Sequence, residues 1–401
     1  MPAFTSFSNS ARVRFCLPIL IPLLLGACAM NPVSLDHVSA GDSARLLDGS
    51  ELPGFSGTLT LPDDPVLELT PEMKEYIHRM MDVTGRYHFA PKELAGVLLH
   101  PGSLGIEYSS EATYTARETF RKRQANCLAF TILVVAFARE MGMHARFNEV
   151  DVPPIWDLQD PSTLVLYKHV NALVRSDVGP RMVVDIDLDE YDQSFRQREI
   201  RDNMAVAQYY NNRAMEFLGK ADYTNALRYL AKALTLEPGI SYMWANLGSL
   251  YRRAGNLQAA ERAYRVALQK NPGDLVAISN AARLYERLGR TALAHELAER
   301  AEYFRMQNPY YRYRLALDAL GTGNYAKALE QVDAAIKLYS REHRFYFLQG
   351  VVYRQMGRTE LAEQSVNRAI KLASDAAQGA RYRHKMDMLL SAAGAPRAYM
   401  N

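Results

Sequence analysis

Small residues recur every 34 positions in the second half of the chain. Units that begin at residues 207, 241, 275, 309 and 343 have only Ala or Gly at their eighth, twentieth and twenty-seventh positions. Side chains this small are needed where two helices cross closely, so each unit is predicted to be a pair of antiparallel helices. The fifteenth position suits the turn between them. It is occupied by Ala221, Gly255, Gly289, Gly323 and Gly357.

The ends of this repeated region have patterns of their own. The third unit has its proline late, at Pro309, which predicts a longer second helix. Residues 377–393 have the pattern of one more helix, with Gly394 and Pro396 as stop signals. A terminal helix covers the open end of a repeat stack. The sequence therefore predicts an all-α solenoid over residues 207–376, followed by a capping helix and tail over 377–401.

The first half has a different pattern of apolar and polar positions. A helix is predicted from Thr70-Pro71, and an amphipathic helix over residues 111–123. The next helix, 128–141, is apolar on almost every side and is predicted to be buried. Strands are expected over 143–150, 162–174 and 182–188. A buried helix followed by antiparallel strands predicts an α+β domain over 71–200.

The N-terminus has the pattern of an export signal over residues 1–27. Arg12 and Arg14 precede an apolar run from Phe15 to Leu25, which is shorter than the ~20 residues of a membrane span. The sequence Leu-Gly-Ala-Cys, ending at Cys28, resembles the lipobox of bacterial lipoproteins. That resemblance implies lipidation of Cys28 and an anchor in the outer membrane, facing the periplasm; an ordinary signal peptide is the alternative. The proline-containing segment 28–70 is predicted to be the lipidated N-terminus and a tether.

Charge divides the chain at the same place as the patterns. Residues 29–200 carry 16 Lys and Arg against 26 Asp and Glu, whereas residues 201–401 carry 29 against 18. The net charge of +3 hides this division. A basic second half favours an acidic partner, because Arg pairs with carboxylates through two hydrogen bonds.

The 34-residue period, together with the three positions of each unit that hold only Ala or Gly, resembles the tetratricopeptide repeat. We call these three positions the small columns. The resemblance implies a concave groove, built from the first helix of each unit, that binds a protein or peptide partner. An ordinary solvated face is the alternative for these positions, and no nucleic acid is expected in the cell envelope. The residues predicted to bind the partner in this groove are Tyr242, Arg252, Arg253, Arg283, Arg287, Tyr313 and Phe347.

Cysteine usage directs attention to Cys127. The chain has three cysteines; with Cys16 removed and Cys28 lipidated, Cys127 is the one thiol expected in the mature protein. In an oxidising compartment such a thiol is either inert in a core or kept for chemistry. Cys127 begins the buried helix, His169 lies on a predicted strand and Asp185 on the next. These residues supply a nucleophile, a base and an acid that orients the base.

This order of residues resembles the transglutaminase-like superfamily, including its bacterial cysteine-peptidase branch, over residues 110–192. The resemblance implies a papain-like α+β fold and acyl transfer by a Cys-His-Asp triad, without metal or cofactor. Ala125 and Leu128 stand where many relatives have glycine and tryptophan, so the second oxyanion donor stays open. Asp187 is the alternative to Asp185.

The expected function is a peptidase or amidase whose repeats recruit a protein partner or substrate. Two alternatives remain: a non-catalytic adaptor lipoprotein that scaffolds envelope enzymes, and an acyltransferase that crosslinks proteins. The acidic run after Asp185 is no EF-hand, since Glu190 and Arg196 stand where the loop needs glycine and glutamate. No zinc-protease, nucleotide-binding or serine-hydrolase motif occurs.

Overall fold

The computed structural model describes residues 37–84, 91–150, 156–160, 163–166, 169–176, 179–186, 196–373 and 380–385. An α+β region precedes an all-helical region, as the sequence predicts. The elements of the first region are α1 (Ala40–Arg45), α2 (Pro71–Thr84), α3 (Pro91–Leu99), β1 (Glu107–Tyr108), α4 (Ala116–Lys122), β2 (Gln124–Ala125), α5 (Cys127–Glu140), β3 (His144–Val150), β4 (Trp156–Asp160), β5 (Thr163–Leu166), β6 (His169–Arg175), β7 (Met182–Val184) and β8 (Gln197–Ile200).

Four strands form an antiparallel sheet in the order β7, β6, β3, β8. β3 pairs with β6 from His144 opposite Arg175 to Val150 opposite His169. β4 and β5 form a separate hairpin, and β1 and β2 form a short parallel pair. The single strand predicted over 162–174 is therefore wrong, because its residues divide between β5 and β6, which belong to different sheets.

Helix α5 forms the core against this sheet. All 11 residues from Leu128 to Ala138 are buried, and the helix contacts β6 and β3. The predicted buried helix is confirmed. Helix α4 is shorter than predicted and starts at Ala116 instead of residue 111. The reason is local: the Thr115 hydroxyl accepts a hydrogen bond from the Glu118 N–H, and the Glu118 carboxylate accepts one from the Thr115 N–H.

In the described residues 202–372, ten helices form five antiparallel pairs. The small columns lie where the helices of a pair cross. A Cβ atom on Gly248 would stand 2.5 Å from the Tyr264 ring, and one on Gly350 would stand 2.7 Å from Val366 Cγ2. The predicted close crossing is confirmed at these positions. The pairs are α6 (Asp202–Gly219) with α7 (Tyr223–Leu236), α8 (Ser241–Ala254) with α9 (Leu257–Lys270), α10 (Leu275–Arg287) with α11 (Thr291–Met306), α12 (Pro309–Gly321) with α13 (Tyr325–Leu338), and α14 (His343–Gln355) with α15 (Thr359–Leu372).

The turns within these pairs use a left-handed backbone. Gly255, Gly289, Gly323 and Gly357 have φ between 72° and 94°, and Ala221 takes the same role with φ of 59°. A residue with a Cβ atom occupies this region at a cost of roughly 1–2 kcal/mol, whereas glycine does not. The first pair is therefore closed by a strained alanine.

The third pair departs from the others. α11 has 16 residues, against 14 for α9, which confirms the longer helix predicted from the late proline. Two residues of α11, Leu297 and Ala301, are buried, whereas α9 buries seven. The stack is thus less tightly packed around α11.

The segment predicted to be a tether lies against the repeats from residue 37 onward. Leu46 and Leu52 are buried, and the Tyr251 hydroxyl donates to the Leu46 carbonyl at 2.7 Å. The Glu51 carboxylate pairs with Arg262 at 2.8 Å. Burial of apolar side chains is the reason that this part differs from the free tether expected from its prolines.

Residues 380–385 are helical and lie against α14. The Tyr382 ring stacks on Phe347 with centroids 4.6 Å apart, and the Tyr382 hydroxyl bonds His343 Nδ1 at 2.6 Å. These contacts are those of a terminal cap on a repeat stack. The remainder of the helix predicted over 377–393 lies outside the described residues.

The two regions meet without a linker. β8 ends at Ile200 and α6 begins at Asp202. The Arg139 guanidinium, in the last turn of α5, donates to both Asp202 oxygens at 2.6 and 2.9 Å. Gln208 is buried, and its Nε2 donates a hydrogen bond of 2.7 Å to the buried Glu149 carboxylate of β3. Both contacts fix the first repeat helix to elements of the α+β region.

Candidate functional site

Cys127 is the first residue of α5, and its position is set by the cap of that helix. The Asn126 side-chain oxygen accepts from the Ala129 N–H at 2.9 Å, and Asn126 Nδ2 donates to Thr113 at 2.8 Å. The Cys127 side chain is partly exposed. The backbone N–H groups of a first helical turn have no acceptor within the helix, and they favour negative charge on nearby groups. A nucleophilic sulfur is well placed there.

His169 opens β6 and lies beside the end of β7. Its side chain is 5% exposed, and Nε2 stands 2.6 Å from Asp185 Oδ2, which is itself buried. Because Nε2 is occupied by Asp185, Nδ1 is the ring nitrogen left for Cys127. The structure therefore brings together the three residues predicted to form the triad.

The ionisation of His169 depends on its two neighbours. Burial lowers the pKa of His169, but the hydrogen bond to Asp185 and the interaction with the Cys127 sulfur outweigh it and raise the pKa to about 10. The ring is consequently held in its protonated form at neutral pH. An imidazolium between a carboxylate and a sulfur is the arrangement that stabilises a cysteine thiolate.

Thr131 is a site residue that the sequence did not reveal. Its buried hydroxyl lies 2.7 Å from the Cys127 carbonyl and 3.0 Å from the Val170 carbonyl. It thus joins the first turn of the cysteine helix to the strand that carries His169. A threonine inside an apolar helix gives no sign of this contact until the strand beside it is known.

Asn171 is a second site residue that the sequence did not reveal. It is fully buried, lies two residues after His169 on the same face of β6, and donates through Nδ2 to Asp185 Oδ2 at 3.0 Å. A polar residue inside the apolar run of KHVNALV was the available signal.

The aromatic residues predicted to line the groove have contacts inside the chain. Tyr242 is half-buried beside Gln208, and burial together with the Glu149 carboxylate raises its pKa. The Tyr313 ring packs against Phe345 at 5.3 Å. Phe347 is covered by the terminal cap helix, as described above. The predicted aromatic groove is therefore occupied in part by the chain itself.

The predicted groove arginines differ in their exposure to solvent. Arg252, Arg253 and Arg283 are half-buried, and Arg287 is exposed. β5 lies against α10, the helix that carries Arg283 and Arg287. The β4–β5 hairpin of the α+β region therefore lies beside the helix that carries two of these arginines.

Two predicted residues, Cys28 and Asp187, lie outside the described residues. Within the part of the chain that the structure describes, no helix has the length and apolar character to cross a membrane. In the same part, no three His, Cys, Asp or Glu side chains are grouped as ligands of a metal ion.

Comparison with known proteins concerns the repeats. The tetratricopeptide repeat family model matches residues 211–274 and 313–377, which confirms the repeat prediction. No curated protein matches the chain in sequence. The second region is thus a tetratricopeptide-repeat solenoid, a scaffold for protein interactions. The match supports the adaptor alternative better than the hydrolase, since it does not include the α+β region.

Similar solved structures have low identity to this chain. MamA from Desulfovibrio magneticus RS-1 is 19% identical over 43% of this chain and 96% of that chain, with a TM-score of 0.24. YrrB, described as a TPR protein with an unusual peptide-binding site, is 19% identical over 44% and 92%, with a TM-score of 0.24. The pilF protein of Pseudomonas aeruginosa is 15% identical over 47% and 86%, with a TM-score of 0.26.

Proposed function

We propose that the α+β region is a transglutaminase-like cysteine hydrolase that acts on a peptide or amide substrate, and that the repeats recruit the protein that carries it. The observation that supports this most strongly is the buried pair of His169 and Asp185, 2.6 Å apart, beside a cysteine at a helix N-terminus. The raised pKa of His169, which includes a contribution from Cys127, adds to it.

The proposed reaction is acyl transfer through a thioester. The Cys127 thiolate attacks the amide carbonyl, and the backbone N–H of Cys127 donates to the oxygen that gains negative charge. His169 Nδ1 gives its proton to the leaving nitrogen as the C–N bond breaks. The ring then takes a proton from water, whose oxygen attacks the thioester. The C–S bond then breaks and the carboxylic acid leaves, so the Cys127 thiolate is regenerated beside the ring that keeps the proton taken from water. Asp185 holds the ring throughout.

Alkylation of Cys127 tests this proposal without knowledge of the substrate. Iodoacetamide should label Cys127 rapidly at pH 6, where an ordinary thiol with a pKa of about 8.5 reacts slowly. His169→Ala should slow the labelling markedly. The exposed His144 lies at the start of β3, and His144→Ala is the matched control that should label like the wild type. Slow wild-type labelling that is indifferent to His169 would remove the support for the hydrolase.

The second candidate is a non-catalytic adaptor that scaffolds envelope enzymes. The family-model match supports it, because an adaptor needs the repeats alone. Cys127→Ser separates the two candidates. An adaptor should keep its partner and its cellular role in this variant, whereas the hydrolase should keep the partner and lose the role. A crosslinking acyltransferase differs from a hydrolase in its acceptor, so addition of a lysine-like amine should yield an amide product in place of the acid.

The proposed partner of the repeats is an acidic protein or peptide, which the excess of positive charge in residues 201–401 supports. Replacing Arg252, Arg253 and Arg287 by Glu should abolish its capture. Capture by the wild type should weaken with salt, because these guanidinium groups are partly exposed.

A control for this experiment must change the net charge equally. Three exposed lysines on the second helices of the pairs serve for it, and their replacement by Glu should leave capture unchanged. Equal loss of capture in both triple variants would show that total charge, and not the groove, attracts the partner. The control lysines are Lys270, Lys337 and Lys371.

The proposed location is the outer membrane, with the protein anchored through a lipid on Cys28 and facing the periplasm. The lipobox-like sequence supports it. Cys28→Ser should leave an unprocessed or soluble protein, as measured by membrane fractionation and by the mass of the mature N-terminus. Unchanged processing and membrane attachment in this variant would contradict the proposal.

A further inference from the structure

Three polar side chains form one row across the sheet. The register pairs Asn148 of β3 with Asn171 of β6, and it pairs Ala172 of β6 with Val184 of β7. Asp185, the residue after β7, continues that register and falls opposite Asn171. Asn148, Asn171 and Asp185 are 1%, 0% and 2% exposed. Polar groups this deeply buried are stable only when they are hydrogen-bonded, so the bonds within the row set their orientations.

The direction of these hydrogen bonds follows from the number of protons on each amide. Asn148 Nδ2 has two protons, and it donates to Asn171 Oδ1 at 2.8 Å and to Gln197 Oε1 at 3.0 Å. The oxygen of Asn171 therefore faces Asn148. Its nitrogen faces Asp185 and donates to Oδ2 at 3.0 Å.

Asp185 Oδ2 accepts a hydrogen bond from Asn171 Nδ2 and lies 2.6 Å from His169 Nε2. A donated hydrogen bond favours the ionised form of a carboxylate. With Asp185 ionised, the proton between the two residues lies on His169 Nε2, and Nδ1 is the ring nitrogen on the side of Cys127. The two asparagine amides thus favour the ionised carboxylate that His169 needs as its acceptor.

We propose that Asn171 is a positioning residue that holds Asp185 as the ionised acceptor for His169, and that Asn148 fixes the orientation of Asn171. This proposal rests on the proposed function of Cys127 and His169. Neither asparagine touches the reacting atoms. Asn171 acts through Asp185, and Asn148 acts through Asn171.

The pH at which His169 loses its proton, measured in protein that retains Cys127, reports how Asn171 acts through Asp185. Among the described residues, the charged groups that act on the ring are Asp185, which follows β7, and Cys127 on α5. Iodoacetate is an anion, so it reacts fastest with a thiolate that lies beside an imidazolium. A plot of its reaction rate with Cys127 against pH should be bell-shaped. The fall in rate at high pH, which we call the upper limb, should mark the loss of the proton from His169.

The variants Asn171→Leu and Asn148→Leu keep side-chain volume and remove the amides. Without the amide of Asn171, the Asp185 carboxylate has one donor fewer and depends more strongly on His169 Nε2, so the upper limb should move up by about one pH unit. Asn148→Leu should move it in the same direction by less. Asn211→Leu removes a buried amide in the repeats, which bonds Asn246 at 2.8 Å, and should leave the upper limb unchanged.

Circular dichroism establishes that each variant is folded before its profile is read. If Asn171→Leu does not fold, the shift in Asn148→Leu tests the proposal alone. An upper limb at the wild-type pH in every folded variant of Asn171 and Asn148 overturns this inference and leaves the hydrolase standing. A wild-type profile that only rises, without an upper limb, overturns both.

Discussion

The buried pair of His169 and Asp185 should make the stability of the protein depend on pH. In the folded protein, burial lowers the pKa of His169, but the bond to Asp185 and the interaction with Cys127 raise it from 6.5 to about 10. Cys127→Ser removes the contribution of the sulfur, so the effect of Asp185 on His169 is best measured in that variant. There the stabilisation should be fully present below pH 6.5 and should be lost as the pH rises toward the raised pKa of His169.

The magnitude follows from the count of protons. Between the two pKa values the folded state holds one proton that the unfolded state has released, so the free energy of unfolding falls by about 1.4 kcal/mol per pH unit. With the pKa of His169 at about 10, the loss between pH 7 and pH 9 would be about 2.5 kcal/mol, and Cys127→Ser, which lacks the contribution of the sulfur, should lose less than this. A loss of this size is large for a folded domain.

Urea unfolding followed by far-ultraviolet circular dichroism at pH 6, 7, 8 and 9 measures this loss. The reference is the double variant Cys127→Ser/Asp185→Asn, in which burial without the carboxylate keeps the pKa of His169 low. Each protein gives a slope of the free energy of unfolding against pH. The difference between the two slopes is the part that depends on Asp185. Equal slopes in both would refute the argument that Asp185 holds the proton on His169.

Three further outcomes are expected from the packing of the chain. Gly248→Ala should lower the free energy of unfolding by about 1–3 kcal/mol, because its Cβ atom would stand 2.5 Å from the Tyr264 ring. Ala221→Gly should raise it by up to about 1 kcal/mol, since φ of 59° is strained for alanine. A double-mutant cycle of Arg139→Ala and Asp202→Ala should give a coupling of about 1 kcal/mol that shrinks with salt, as expected for a half-exposed pair with two hydrogen bonds.

Control substitutions at other positions test whether these changes in stability come from the contacts named above. Gly239→Ala adds the same methyl group where no atom lies within 4 Å, and it should be nearly neutral. A loss equal to that of Gly248→Ala would contradict the steric argument. Gly255→Ala should be destabilising, the reverse of Ala221→Gly at the equivalent turn, because φ there is 94°. A coupling energy of zero in the double-mutant cycle would show that Arg139 and Asp202 do not hold the two regions together.

Local patterns predicted the repeats and the start of the cysteine helix. The small columns that include Gly248 follow directly from close helix crossing, which recurs in every unit. Asn126 before a long apolar run is a sufficient signal for a capped helix that begins at Cys127. In both cases the residues that determine the structure are near one another in sequence, so a reading of pattern and capping preference succeeds.

Contacts between distant segments were not predictable in this way. The sequence predicted that Tyr242 and Phe347 line an open groove, because the 34-residue pattern gives positions only within the repeat units. It carries no information on contacts with distant segments, such as those of Tyr242 with Gln208 and Glu149, or of Phe347 with Tyr382. Asn171 was missed for the same reason, since its role depends on a register shared by three strands.

The ion pair between Arg139 and Asp202 affects how the chain can be divided for experiments. The 34-residue period places the first unit at residue 207, yet α6 begins at Asp202, and Gln208 is already bound to Glu149. A cut at residue 207 would leave Arg139 and Asp202 in one fragment, but it would divide α6 and remove Gln208 from the buried Glu149 carboxylate. Limited proteolysis should therefore spare this junction, and neither half should be portable into another protein as an independent module.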